Sequence, residues 1–96
     1  MMSKQDTFEW HDRKAKSNEA KHGFTFEQAK EVFNDPNKVT KRSDRGDEKR
    51  WKTIGEYINK LFSVAWCDRP PNKRLISARP ANKIEKELYK KINNTK

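Results

Sequence analysis

The chain has 96 residues, with 23 Lys and Arg against 14 Asp and Glu for a formal charge of +9, and 31% of it is hydrophobic. That length suits a single domain over 1–96 whose folding hides roughly 60–65% of the unfolded surface, which excludes a large enzyme with a separate nucleotide-cofactor domain. No run approaches the roughly 18 apolar residues of a membrane span, and the basic start lacks the apolar stretch of a signal peptide, so a cytoplasmic protein without a membrane partner is expected.

In chain order, Phe8, Glu9 and Trp10 alternate apolar and polar and predict a short strand. Asp12 is placed to cap a helix running to His22, which Gly23 closes after a basic last turn. A second helix follows, because Thr25 and Gln28 have capping-box spacing and Phe26, Ala29, Lys30 and Phe33 fall on one face. The segment Asn34-Asp35-Pro36-Asn37 ends it. From Lys38 to Asp47 the pattern is polar apart from Val39 and reads as a loop or a weak strand. Three strand candidates come next, Arg50 to Tyr57, Lys60 to Cys67 and Lys73 to Arg79. The middle one is the clearest, with Phe62, Val64 and Trp66 on one face. Asn59-Lys60 and Pro70-Pro71-Asn72 are the expected turns, giving an antiparallel meander. Pro80 can open a last helix with an apolar stripe of Ala81, Ile84, Leu88 and Ile92 lying across the sheet. The expected fold class is α+β, an antiparallel sheet with helices packed on it in the order β-α-α-β-β-β-α. Residues 1–6 and 93–96 are expected to fray.

A charged fraction of 39% could indicate disorder, but three Trp, two Tyr and five Phe argue for a core. The excess positive charge points to a polyanion: nucleic acid, an anionic membrane surface or an acidic protein. The lone Cys67 cannot form an internal disulfide, fits a reducing compartment, and reads as a small buried residue rather than a nucleophile. No paired metal-ligand spacing and no phosphate-cradling glycine loop is present, so no metal and no cofactor is expected. His22 either packs at its helix end or serves as an acid–base group, since an unperturbed histidine titrates near neutrality. His11 reads as solvated. The lysines of the first and last helices read mainly as solvated faces. Arg50, Arg69 and Arg79 lie at strand ends, where they can either converge on a phosphate or pair with a carboxylate.

The motifs Phe8-Glu9-Trp10, Lys14-Ala15, Asn18, Lys21-His22-Gly23, Phe24-x-Phe26-Glu27-x-Ala29, Val32-Phe33 and Asp35-Pro36 resemble the BrnT family of bacterial toxins. So do Glu48-x-Arg50-Trp51, Ile54-Gly55, Asp68-Arg69, Ile76-Ser77-Ala78-Arg79, Glu85 and Tyr89. The resemblance implies a compact, RelE-like toxin of a type II toxin–antitoxin system that cuts RNA without a metal and inhibits translation. It also implies neutralisation by a BrnA-like ribbon-helix-helix antitoxin, through which alone operator DNA would be contacted. Carried onto matching positions, it suggests Arg50, Arg69 and Arg79 as phosphate clamps, His22 or Tyr89 as proton carrier, and Glu85 as an orienting group. Lys21, Trp51, Trp66 and Lys83 are the candidates for RNA contact. His11 stands where the family usually has Asp, Trp66 where Tyr is common, and Cys67-Asp68 where Thr-Glu is common. Trp66 could still stack a base but lacks a hydroxyl for chemistry. The alternatives are a non-catalytic antitoxin-binding co-repressor and a toxin with another target such as gyrase, since one fold class hosts both activities.

Overall fold

The computed structural model describes residues 7–94; of the expected fraying, 1–6 and 95–96 lie outside the described residues, as does the basic start, whereas Asn93 does not fray but ends the last helix and donates to the Tyr89 carbonyl at 2.8 Å and the Asn37 carbonyl at 3.1 Å. Strand β1 (Thr7–Glu9) is followed by helices α1 (Asp12–His22) and α2 (Phe26–Val32), then strands β2 (Val39–Arg42), β3 (Trp51–Tyr57), β4 (Lys60–Arg69) and β5 (Asn72–Pro80), and finally helix α3 (Lys83–Asn93). The α+β class agrees with the sequence, and the weak stretch after Lys38 supplies β2. The sheet runs β1-β5-β4-β3-β2. β2 to β5 form the expected antiparallel meander, but β1 pairs with β5 in parallel, so the sheet is mixed. Parallel pairing needs a long connection, and two helices and three strands lie between β1 and β5.

Local chemistry sets most of the element ends. Thr25 and Gln28 cap α2 reciprocally, and Gly23 (φ 65°) closes α1 by donating its N–H to the Glu19 carbonyl at 2.7 Å. Three details differ from expectation. His11, not Asp12, is the first flanking residue of α1 and makes no side-chain cap; Asp12 is instead the first helical residue, where its charge suits the positive helix end. The β3–β4 turn sits one residue earlier, at Ile58 and Asn59 (φ 50° and 61°), a positive-φ pair whose twist matches that of the strands. Pro80 ends β5, and α3 begins after Asn82, whose side chain accepts the Glu85 N–H at 2.8 Å while Glu85 accepts the Asn82 N–H at 2.9 Å.

Strand alternation gives the sheet two different faces. Phe62, Val64 and Trp66 on β4 meet Phe24, Phe26, Ala29, Val32 and Phe33 in the core beneath α1 and α2. Opposite them, Ala65 pairs with Ser77 but Trp66 pairs with Leu75, so Ile76 is an extra residue on β5. This bulge lets Leu75 and Ala78, three apart, both reach the core. On β3, Gly55 lies against α2, and a Cβ there would stand 2.8 Å from both Val32 Cγ1 and the Val32 carbonyl oxygen. Gly55→Ala should therefore cost about 2 kcal/mol in urea unfolding, and adding Val32→Ala should recover only part of it because the carbonyl clash remains.

The second face is met by α3, since Glu85 reaches Ser63 and Lys52, whose alternation is opposite to that of Val64 and Thr53. The expected apolar stripe is not the buried face of this helix. Ala81, just before it, is buried, but Ile84 is 76% exposed, Ile92 is also exposed, and the buried residue of α3 is Glu85. An acid goes inside here because polar partners wait for it on the sheet.

Candidate active site and nucleic-acid interface

The bonding of Glu85 organises the second face. Its carboxylate accepts Arg79 through both terminal nitrogens (2.8 and 2.9 Å), Lys52 Nζ at 2.8 Å, Ser63 Oγ at 3.2 Å and the Asn82 N–H. Arg79 and Ser63 are direct neighbours across β5 and β4, and Lys52 is two residues along β3 from Ile54, the partner of Ser63, and so on the same face. Burial alone would raise the Glu85 carboxyl, but the hydrogen bonds from Arg79, Lys52 and Asn82 outweigh it and bring it down to about 2. Glu85 is thus a fixed anion with its lone pairs occupied, suited to orienting cations and unsuited to collecting a proton.

Both cations keep donors in reserve. Arg79 spends donors on the two Glu85 oxygens and the Pro80 carbonyl, leaving two of its five. Lys52 spends one of three. Their side chains are only partly buried. Ala65 and Ser77, on the same face, are half-buried, so α3 covers this surface only in part. Two positive groups with unused donors beside an accessible sheet face can hold a phosphodiester and stabilise negative charge growing on it.

The other sequence candidates are distributed differently. Arg69 ends β4, six residues beyond Ser63, so it sits about 20 Å along the strand from Arg79. It stands instead near Glu9, which accepts hydrogen bonds from Asn72 and Arg74 and is held below its usual range. Arg50 pairs with Glu48 beside the turn that precedes β3. The three arginines do not converge; only Arg79 joins Glu85. Trp66 is 8% exposed, its indole N–H donates to Thr53 at 2.9 Å, and Trp51, Phe33 and the Lys73 ammonium surround its ring. No ring face is left for an RNA base, which corrects that expectation. Trp51 is half-buried and carries the Arg42 guanidinium 5.1 Å from its ring. Lys83 is exposed at the start of α3, His11 is exposed, and Cys67 is a buried free thiol.

Tyr89 is occupied by a structural bond. Its hydroxyl donates to Asp35 Oδ2 at 2.7 Å, and the same carboxylate accepts the Glu56 N–H at 2.7 Å and the Asn37 N–H at 2.8 Å. β2 begins opposite Ile54, so Asp35 supplies the acceptor for a sheet edge that β2 does not reach. Burial and then the Asp35 carboxylate push the Tyr89 phenol well above its ordinary range, which makes it a poor base. Tyr89→Phe should cost about 1 kcal/mol of stability, as a thermal melt would check.

His22 lies elsewhere, half-buried at the end of α1, in a cleft of about 340 Å³ between that helix and β5. Lys21 lines the same cleft. It adjoins the Arg79 side of the sheet through Ser77, two residues before Arg79. Sequence reasoning missed Lys52 and Ser63. Their one signal is that Ser63 interrupts β4 opposite the apolar set, and pairing by register is needed to bring either to Glu85. Among the described residues no three side chains of His, Cys, Asp or Glu assemble as metal ligands, and no helix is long and apolar enough to cross a membrane.

The sequence model of one protein family, described as the ribonuclease toxin BrnT of type II toxin–antitoxin systems, matches residues 10–85. No curated protein matches the chain.

Proposed function

The chain belongs to the BrnT family of type II toxin–antitoxin ribonuclease toxins, and from that premise we propose that it cuts RNA without a metal ion at the Arg79–Lys52 centre. The observation that carries this reading is the pair of cations held by one buried carboxylate with donors to spare. Their charge would neutralise a scissile phosphate lying on this face.

The reaction that suits this arrangement is attack of a ribose 2′-oxygen on the adjacent phosphorus. The P–O5′ bond breaks, leaving a 2′,3′-cyclic phosphate and a 5′-hydroxyl; one proton leaves the 2′-hydroxyl and one is taken up by the 5′-oxygen. Arg79 and Lys52 would neutralise the phosphorane-like transition state, a role worth more there than in the ground state because charge accumulates on the equatorial oxygens. Glu85 acts as a positioning residue that holds both cations. Of the two sequence candidates for moving the proton, Tyr89 is committed to Asp35, whereas the His22 side chain lines the cleft and makes no hydrogen bond among the described residues. We therefore assign the proton to His22.

As a member of a type II system the toxin has an antitoxin partner. A BrnA-like ribbon-helix-helix protein is the antitoxin we infer, with operator DNA reached only through it and with translation in the cytoplasm as the process inhibited. The test is total RNA incubated with purified toxin in EDTA. Cleavage with 5′-hydroxyl ends is expected; intact RNA alongside growth arrest would overturn the reading and favour a different target.

A further inference from the structure

Two sets of cations differ in how they are placed. On the sheet and its rim, Arg42, Arg50, Lys52, Arg74 and Arg79 are each paired with a carboxylate. In the cleft between α1 and β5, Arg13, Lys14 and Lys21 converge beside His22, with no carboxylate in the lining and none paired to them among the described residues. Their spacing explains the convergence, since Arg13, Ser17 and Lys21 form one i,i+4 row of the helix and Lys14, Asn18 and His22 the adjacent one. Asn18 is buried and locks this face onto β5: its Oδ1 accepts the Ala78 N–H and its Nδ2 donates to the Phe24 carbonyl, both at 2.9 Å. The opposite wall carries Ile76 and Ser77, at the bulge of β5.

Helix stability does not account for these charges. Lys21 and His22 suit the negative end of α1, but Arg13 and Lys14 follow Asp12 in its first turn, where the helix dipole favours the acid and disfavours the two bases. A bound anion would offset like charges gathered in such a cleft. The two serine hydroxyls, Ser17 and Ser77, add neutral donors of the kind that phosphate oxygens accept.

We propose that the α1–β5 cleft is a second phosphate subsite, which holds the RNA backbone beside the phosphate being cut. This rests on the ribonuclease reading for the identity of the polyanion. Ser77 and Arg79 are two residues apart on β5, about 7 Å, so a strand lying across this edge presents neighbouring phosphates to the cleft and to the Arg79–Lys52 centre. An acidic antitoxin segment has the same sign of charge, but continuity with that centre along β5 favours RNA.

The experiment measures binding of a fluorescent, 2′-O-methylated single-stranded RNA, which has no nucleophilic hydroxyl and cannot be cut by the proposed route. Wild type is compared with Lys14→Ala/Lys21→Ala and with Lys16→Ala/Lys90→Ala, which removes the same charge outside the cleft. All four lysines are exposed, so both variants should fold. The cleft variant should bind about tenfold or more weakly, and its slope of log affinity against log salt should fall by about 1.4, or about 0.7 per lost phosphate contact. The control should change affinity by about twofold at most. Equal losses in both variants, or wild-type RNA binding with lost antitoxin binding in the cleft variant, would overturn the subsite. If wild type cuts RNA but the cleft variant binds like wild type, the subsite fails and the ribonuclease reading stands. If wild type cuts nothing yet binds through Lys14 and Lys21, the reverse holds.

Discussion

Arg79→Ala should lower the rate of RNA cleavage by about 10²- to 10³-fold, the usual cost of losing one preorganised charge donor from a transition state. The expectation follows from the position of the guanidinium. It is the one strand-end arginine held against Glu85, at the level of Ser63 and beside Lys52. Arg79→Lys should recover little, because an ammonium cannot span both carboxylate oxygens and still offer a fork to phosphate. Arg42→Ala is the informative control. Arg42 is also ion-paired, to Asp44 at 2.6 Å, but it packs on Trp51, and its removal should leave cleavage within about twofold. Single-turnover gel assays on a defined RNA would measure all three, and equal losses for Arg79 and Arg42 would mean that general positive charge, and not the site, governs the reaction.

Glu85→Gln should have its main effect on stability and on how stability varies with pH. The Glu85 carboxyl titrates near 2 in the folded protein against an ordinary value of 4.5. A folded value below the unfolded one means that ionised Glu85 stabilises the protein above about pH 4.5, by up to about 3 kcal/mol. That contribution is lost as pH falls from there towards 2. Asp35 adds in the same direction, since hydrogen bonds from Tyr89, Glu56 and Asn37 overcome its burial and hold it below its ordinary 3.8. Urea unfolding from pH 7 to pH 2.5 should show wild type converging on Glu85→Gln at the acid end. A constant difference across that range would show that the charge of Glu85 is not what holds Arg79 and Lys52. Glu85→Gln should also slow cleavage, since it loosens both cations, and its cleavage defect should not add to that of Arg79→Ala, because the two act as one unit.

The parts of the fold that local rules govern were legible in the sequence. Gly23, the Thr25–Gln28 box and the alternation of Phe62, Val64 and Trp66 depend on neighbours within a few residues, and each is found as read. The errors came where a distant partner decides. β1 runs parallel because β5 returns beside it, and the Ile76 bulge depends on the register of β4 against β5. α3 turns Glu85 inward and leaves Ile84 outside, against its apolar period, because Arg79, Lys52 and Ser63 wait on the sheet.

The site divides in the same way. The residue types were visible, as were the basic excess and the motifs of the family, so the sequence by itself determined what class of chemistry this protein carries. Which arginine belongs to the centre was decided by tertiary structure alone. Arg50, Arg69 and Arg79 look alike at strand ends, but strand register places only Arg79 over a buried carboxylate and sets Arg69 about 20 Å away. Register likewise brought in Lys52 and Ser63 and took Trp66 into the core. Local pattern says which groups a chain has; only pairing across the sheet says which of them meet, and electrostatic chemistry depends on that meeting because its strength falls with distance and with exposure to water.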